Sequence, residues 1–156
     1  MIRNFKMKNV MATVIAFCIT LMSFTVFGVA ETIVIDGKTA KIPTQMGSIV
    51  EKDSRTFVPL RFVMEYLGCT LAYDDATKSV TIFDKTNVYV IQVDNNKLFK
   101  INSKTGENTT ITMDTTVILN QTEGRIYLPI RFLAEAIGYT VGWDETVQTV
   151  SLIKQK

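Results

Sequence analysis

The pattern of apolar and polar positions in this chain occurs twice, first at residues 55–68 and again at residues 125–138. Each copy begins with a short β-branched and aromatic stretch, passes through a proline, and then places apolar residues at helical spacing until a glycine. An internal repeat of this kind determines how the whole fold is interpreted. It predicts a fold assembled from two equivalent units.

Each copy predicts a strand that leads directly into a short helix. In the first copy, residues 56–58 favour a strand, and Pro59 suits a first helical turn, which would leave its N–H unpaired in any case. The apolar positions from Leu60 to Leu67 recur at i, i+3, i+4 and i+7, and Gly68 stands where a helix ends in the left-handed conformation. A helix of about two turns is unstable alone in water, so it must pack on a sheet.

Hairpins supply that sheet. Residues 70–73 and 79–82 alternate apolar and polar positions around a turn that starts at Asp74, and the second copy repeats this pattern around Asp144. A further hairpin is predicted ahead of each helix, with turns at Asp36-Gly37 and, as its counterpart, at residues 94–96. The polar segment that follows the second of these, residues 102–110, is predicted to be an exposed insertion.

These elements predict the α+β fold class, with two ββ-α-ββ-type repeats and twisted antiparallel sheets packed on two short helices. The repeats span about 31–84 and 88–154. Neither helix is long enough to cover a sheet alone, and no linker rich in proline or glycine separates the repeats. We therefore expect one domain at residues 31–156 whose core is shared by both repeats.

The repeated residues also resemble a known family. The pattern R-x-[FY]-[VL]-P-[LI]-R-F-[VL]-x-E-x-[LI]-G-x-T-x-x-[YW]-D is similar to the repeat of the copper amine oxidase N-terminal domain family, also called the stalk domain, which is common in secreted proteins of Gram-positive bacteria. The resemblance covers nearly all of the chain after residue 31 and implies a small α+β fold. In that family the copper and the oxidase chemistry belong to a separate domain, so the resemblance implies no activity. The matching positions are Arg55, Pro59, Arg61, Glu65, Gly68, Asp74, Arg125, Pro129, Arg131, Glu135, Gly138 and Asp144.

Residues 1–30 are predicted to be a secretory signal peptide. A basic start is followed by an apolar run at residues 10–29, and Gly28-Val29-Ala30 offers small residues at the two positions that a signal peptidase recognises. Cleavage is predicted before Glu31, which makes the mature protein extracellular, either secreted or at the cell surface. The alternative is an uncleaved anchor, because the apolar run is long enough to span a bilayer.

Removal of the signal peptide changes the charge of the protein. The full chain has 17 basic and 15 acidic side chains, a net charge of +2. Without Arg3, Lys6 and Lys8, 14 basic side chains face 15 acidic ones, and the net charge becomes −1. A nearly neutral domain has no electrostatic reason to bind nucleic acid. A membrane is expected as a partner only through an uncleaved signal segment.

The residue types that most catalytic and metal sites need are missing from the sequence. The absence of histidine excludes His-based zinc or copper sites and Ser-His-Asp or Cys-His catalysis. Residues 31–156 keep one cysteine, Cys69, so they contain no CxxC pair, and no Gly-rich phosphate loop or nucleophile elbow occurs. We therefore predict no catalytic residue, no metal and no cofactor, and a protein that is not an enzyme.

Charged residues of the repeat admit two interpretations. Arg61 and Glu65 lie four positions apart on the first predicted helix, as do Arg131 and Glu135 on the second. A structural pair on the face that the apolar stripe leaves free is favoured over a charged ligand site.

The other charged positions are interpreted in the same way. Arg55 and Arg125, which precede the repeated strands, are favoured as structural residues. Asp74 and Asp144 are favoured as caps of their hairpin turns rather than as calcium ligands, because no calcium loop of known spacing is present.

Aromatic residues supply the candidate ligand contacts. Tyr73 and Trp143 occupy equivalent positions just before the hairpin turns, where an exposed ring would stack on a sugar of a cell-wall glycan. The strand alternation instead favours the core side for both. Tyr127, Tyr139 and Tyr89 are further candidates for an exposed aromatic strip.

Taken together, these patterns predict a non-catalytic, secreted or cell-surface interaction module. One alternative is a module that binds a cell-wall glycan, and a second is a structural protein that self-associates through open sheet edges. The expected partner is accordingly a cell-wall glycan or another surface protein.

Overall fold

The computed structural model describes residues 32–144 and 146–155, so the predicted signal peptide lies outside the described residues. Thirteen strands and two α-helices form within them. They are β1 (Thr32–Ile35), β2 (Lys38–Ala40), β3 (Val50–Lys52), β4 (Arg55–Pro59), α1 (Leu60–Tyr66), β5 (Thr70–Asp74), β6 (Ser79–Phe83), β7 (Asn87–Gln92), β8 (Lys97–Asn102), β9 (Asn108–Thr112), β10 (Ile118–Asn120), β11 (Arg125–Pro129), α2 (Ile130–Ala136), β12 (Tyr139–Asp144) and β13 (Thr149–Lys154). A 3-10 turn at Thr44–Met46 precedes β3. The α+β class is confirmed, with strand content well above helix content.

Both predicted helices are confirmed, and they occupy equivalent positions in the two copies. Each has seven residues and starts directly after its proline. Gly68 and Gly138 follow the helix ends with φ of +77° and +84°, the left-handed conformation that glycine adopts without a steric cost. The local pattern of apolar residues, proline and glycine is therefore sufficient to place both helices.

The strands form three sheets. The central sheet has the order β10-β11-β4-β3, the meander sheet β5-β6-β7-β8-β9, and the terminal sheet β12-β13-β1-β2. At the middle of the central sheet, Val58 lies opposite Leu128, its equivalent in the other copy. The antiparallel pairing of β4 with β11 is thus symmetric about this point, which defines a local two-fold axis between the two strands.

One expectation about the hairpins is wrong in its strand direction. The N-terminal hairpin and the β7–β8 hairpin take corresponding places in the strand order of their sheets, but they are not equivalent, because β1 runs parallel to β13 whereas β7 runs antiparallel to β6. A short link forces β7 to turn back on β6, whereas β1 is far from β13 in sequence and is free to pair in either direction. The segment expected to be an exposed insertion is exposed over residues 103–110. It also contains the start of β9, which pairs with β8 as a polar edge strand and was not predicted.

The core is one cluster that draws on both copies and on all three sheets. Ile33 and Leu152 from the terminal sheet, Leu128 from the central sheet and Ile82 from the meander sheet are all 0% exposed. Cys69 is buried as a small apolar residue, and burial raises the pKa of its thiol. Among the described residues, no helix has the length and apolar character needed to cross a bilayer.

Candidate functional site

Two grooves lie at equivalent positions across the boundary between the copies. The first groove, of about 650 Å³, lies between the start of α1, the β5–β6 hairpin and the β10–β11 hairpin. The second groove, of about 380 Å³, lies between the start of α2, the β12–β13 hairpin and the β3–β4 hairpin. The first groove is lined by Gln45, Met46, Pro59, Leu60, Arg61, Leu71, Tyr73, Asp75, Val80, Leu119, Glu123, Gly124, Arg125 and Ile126. The second groove is lined by Glu51, Ser54, Arg55, Thr56, Asp114, Pro129, Ile130, Arg131, Phe132, Val141, Gly142, Trp143, Gln148 and Val150.

The local two-fold axis explains why the grooves match. One wall of the first groove carries Arg61 and Tyr73 from the first copy, and the facing wall carries Arg125 from the second. In the second groove the roles are exchanged, since Arg131 and Trp143 face Arg55. Each groove therefore joins repeat residues that are about 50 to 90 positions apart in the sequence.

Arg55 and Arg125 serve as structural residues at these walls. Arg55 donates to both carboxylate oxygens of Asp114, at 3.1 and 2.7 Å, and to the carbonyl oxygen of Asp53 at 2.8 Å. The hydrogen bond from Arg55 lowers the pKa of the Asp114 carboxyl. The two arginines thus anchor the loops that form one wall of each groove.

Arg125 makes the corresponding contacts in the first groove. It donates to the carbonyl oxygen of Glu123 at 3.0 Å and to that of Gln45 in the 3-10 turn. Its guanidinium also lies 3.7 Å from the Glu123 carboxylate. Two carbonyl oxygens and one carboxylate hold Arg125 in place. Its main contribution is therefore to the shape of the groove rather than to a free charge.

The helix charges are exposed rather than buried. Arg61 lies 3.7 Å from Glu65, with 67% and 45% of their side chains exposed. Arg131 and Glu135 are exposed as well. An exposed pair of this spacing contributes only tenths of a kcal/mol, so the guanidinium of Arg61 is held loosely at the rim of the first groove.

Tyr73 and Trp143 are exposed, so the expectation that both lie in the core is wrong. They are 43% and 48% exposed, although their cross-strand partners Val80 and Val150 are buried. The strand alternation predicted the correct face of each sheet. However, β5 and β12 are edge strands, and the core covers Leu71 and Val141 on them only in part and leaves Tyr73 and Trp143 exposed.

The other candidate tyrosines are buried and cannot form an exposed strip. The hydroxyl of Tyr127 donates to Glu123 at 2.6 Å, and that of Tyr139 reaches Asp36 at 3.5 Å. Tyr89 is 1% exposed and donates to Asp84 at 2.7 Å. Burial, followed by the carboxylate partner, raises the pKa of Tyr127. The rings of these tyrosines are buried, and their hydroxyls reach carboxylates at the edge of the core.

Asp74 and Asp144 cap their turns, as the turn interpretation predicts. Asp74 accepts the N–H of Ala76 at 2.9 Å, and Asp144 accepts the N–H of Thr146 at 2.9 Å. Hydrogen bonds, that of the Thr77 side chain first, lower the pKa of Asp74. In the described part of the chain, no group of three or more His, Cys, Asp or Glu side chains is placed to hold a metal ion.

Comparison with known proteins identifies one family. The family model described as the copper amine oxidase N-terminal domain matches residues 34–152, a range that includes both helices and both grooves. In copper amine oxidases this N-terminal domain is not the catalytic one. No curated protein and no solved structure gave a significant match to the chain.

Proposed function

We propose that this chain, which belongs to the copper amine oxidase N-terminal domain family, is a non-catalytic interaction module that is secreted or held at the cell surface. The first groove carries the proposal. Its volume of about 650 Å³ falls in the range of ligand-binding clefts. An apolar floor that includes Leu71 and Leu119 is combined with a rim of mixed charge, which suits binding rather than reaction.

The acidic residues of the groove are not arranged for acid–base catalysis. The carboxylate of Glu123 accepts a hydrogen bond from the Tyr127 hydroxyl at 2.6 Å and lies 3.7 Å from the Arg125 guanidinium, so it is engaged within the wall of the groove. Asp75 is exposed on the β5–β6 hairpin turn.

A matched pair of substitutions tests whether the first groove is the binding surface. Leu119→Glu places in the first groove the residue that the second groove has at the equivalent strand position, Glu51. Glu51→Leu makes the reverse change. The full chain and both variants are used to capture wall material and secreted proteins of the host. We expect a captured partner to be lost with Leu119→Glu and retained with Glu51→Leu.

Two results would contradict this function. Equal capture by both variants would show that the partner does not bind in the first groove. Turnover of a substrate by the purified chain, abolished by one point substitution, would show that the protein is an enzyme.

The extracellular location is part of the proposal and rests on residues 1–30. Mass spectrometry of the protein recovered from the culture medium should give a chain that starts at Glu31. Recovery of the intact chain from the membrane fraction would instead identify an uncleaved anchor.

A cell-wall glycan is the second candidate partner, and the exposed rings of Tyr73 and Trp143 favour it. An aromatic ring at the border of a groove can stack on a sugar ring, and planar polar side chains in the same groove can bind the sugar hydroxyls. Retention on insoluble peptidoglycan should then fall with Trp143→Ala or Tyr73→Ala while thermal stability is unchanged. Unchanged retention in both variants would exclude this partner at the grooves.

Self-association is a third candidate, favoured by the outer face of the meander sheet. Phe83, Phe99 and Ile101 are between 36% and 42% exposed there, on a face that is usually polar in antiparallel sheets. A mass in light scattering that rises with concentration and falls with Phe99→Ser would support this role. A constant monomer mass would contradict it.

A further inference from the structure

The first groove is bordered by strands that lack a neighbour on one side. Within the described residues, β5 is the edge of the meander sheet and β10 is an edge of the central sheet. Residues of both strands line the groove, Leu71 and Tyr73 on β5 and Leu119 on β10. A groove that runs beside an open strand edge offers backbone hydrogen bonds as well as a surface for side chains.

Of the two edges that border the first groove, β5 is the one suited to pairing. It has five residues and contains neither lysine nor proline, the residues that usually protect an edge from pairing. The strand β10 has only three residues, and the short edges β2 and β3 carry Lys38 and Lys52. The edges β9 and β12 also lack lysine and proline, but they do not line this groove. The free backbone groups of β5 are therefore available over a length of about 16 Å.

The floor of the first groove matches the side-chain spacing of an added strand. Leu71 and Tyr73 lie on the same face of β5, two residues apart, and Val80 lies beside Tyr73 on β6. On the facing wall, Leu119 and Ile126 form a cross-strand pair. Because successive side chains of a strand alternate between faces, a peptide paired with β5 would place every second side chain over this apolar floor.

The charged residues at the rim of the first groove indicate which polar side chains such a peptide would carry. Arg125 has 30% of its side chain exposed and donates to the carbonyl oxygens of Gln45 and Glu123. Arg61 has 67% of its side chain exposed and lies 3.7 Å from Glu65. Arg61 is thus the more exposed cation at the rim, and its complement is an acidic side chain.

We propose that the first groove binds an extended peptide segment of a partner protein, added as a strand to β5, with apolar side chains on the groove floor and an acidic side chain at Arg61. This rests on the proposed function, because it names the class of partner for the same groove. It distinguishes the first groove from the second, whose wall presents Glu51 and Thr56 where the first has Leu119 and Ile126.

Blocked six-residue peptides of alternating valine and glutamate are the probe, titrated into the full chain by heteronuclear NMR. We expect saturable shifts of the backbone amides of residues 70–74. A valine–lysine peptide of the same length should bind at least three-fold more weakly. Shifts that appear only at β9 or β12, or no saturable shift at all, would overturn the proposal.

Backbone methylation separates strand addition from simple groove filling. N-methylation of all valines removes the hydrogen-bond donors of one edge of the peptide, and N-methylation of all glutamates removes those of the other. Strand addition requires that at least one methylated peptide loses binding. If both methylated peptides bind as tightly as the unmethylated one, the proposal is overturned, since side-chain contacts alone would then explain the affinity.

Variants of the full chain test the floor and the charge separately. Leu119→Glu should weaken the valine–glutamate peptide at least ten-fold, and Glu51→Leu should leave it unchanged. Arg61→Ala should weaken it about three-fold, the size expected for an exposed ion pair, without weakening the valine–lysine peptide. Equal affinity for all three variants would place the peptide outside the groove and overturn the proposal.

The outcomes distinguish this inference from the function on which it rests. If capture of a partner depends on the groove but no peptide binds to β5, the proposed interaction module is supported and the proposed strand addition is contradicted. Capture that is independent of Leu119 would remove both.

Discussion

The two grooves have the same frame but different surfaces. Both are built from a proline, an arginine and an aromatic residue of one copy and an arginine of the other. The facing strand pair is Leu119 with Ile126 in the first groove and Glu51 with Thr56 in the second. The first groove is larger and more apolar than the second. The positions that are the same in both copies frame each groove, and the positions that differ between the copies give the two grooves different surfaces.

The connecting loops produce the difference. The turn between β3 and β4 consists of Asp53 and Ser54, both with positive φ, whereas the turn between β10 and β11 spans residues 121–124. The longer turn changes which residues face the groove and contributes Glu123 and Gly124 to its lining. A duplicated fold can thus diversify its binding surfaces without disturbing the strand pairing at its centre.

The largest expected effect comes from breaking the frame that both grooves share. Leu128 is 0% exposed and lies on the local two-fold axis opposite Val58. Leu128→Ala should lower the free energy of unfolding by about 2 to 5 kcal/mol, because it leaves a cavity in a shared core. Val58→Ala should cost less, since it removes fewer carbon atoms.

Urea unfolding followed by circular dichroism and by the fluorescence of Trp143 tests this prediction. Because the core is one cluster, the two signals should have the same midpoint in the wild-type chain and in both variants. Separate midpoints would show that the copies unfold independently and that the frame is not shared.

A smaller effect is expected at Asp84, whose carboxylate accepts a hydrogen bond from the buried Tyr89. Burial opposes ionisation of Asp84, but the N–H groups of Thr86 and Asn87 and the hydroxyl of Tyr89 together lower its pKa from 3.8 to about 2. A lowered pKa contributes stability above pH 4 that is lost as the pH falls towards 2. After allowance for solvent screening of this partly exposed group, the contribution is about 1 to 2 kcal/mol.

Denaturation of Asp84→Asn at a series of pH values measures this contribution. The variant should be less stable than the wild type at pH 7, and the difference should vanish near pH 2. Asp36→Asn is the matched change, and its effect should be smaller because the Tyr139 hydroxyl is 3.5 Å from Asp36, against 2.7 Å for Tyr89 and Asp84. A difference that does not depend on pH would contradict the role of the Asp84 charge.

Equal effects in the two copies are expected at the helix ends. A Cβ added at Gly68 or Gly138 meets no atom within 4 Å, so Gly68→Ala and Gly138→Ala differ from the wild type only in backbone strain. Each should cost about 1 to 2 kcal/mol in thermal or urea unfolding, because φ is positive at both positions. If the two substitutions lower the free energy of unfolding by amounts that differ by more than the experimental error, the two helix ends are not equivalent.

The sequence was informative where structure depends on neighbouring residues and uninformative where it depends on distant pairing. Pro59, Gly68 and their equivalents placed both helices, since these residues act on their own backbone. The alternation of β5 predicted the face of Tyr73, but whether that face is covered depends on strand order. The parallel pairing of β1 with β13 and both grooves combine segments that no local pattern connects.

The smallest expected effect concerns the charges at the rims. Arg61→Ala removes one partner of an exposed pair 3.7 Å apart in the weaker Arg-before-Glu order, so the free energy of unfolding should change by only a few tenths of a kcal/mol. Arg131→Ala should be equally mild, because Arg131 is exposed at the equivalent position. If either substitution costs more than about 1 kcal/mol, that arginine supports its helix. If both substitutions are mild, stability does not require the two arginines. Arg61→Ala should then weaken ligand binding in the first groove, whereas no such effect is expected from Arg131→Ala.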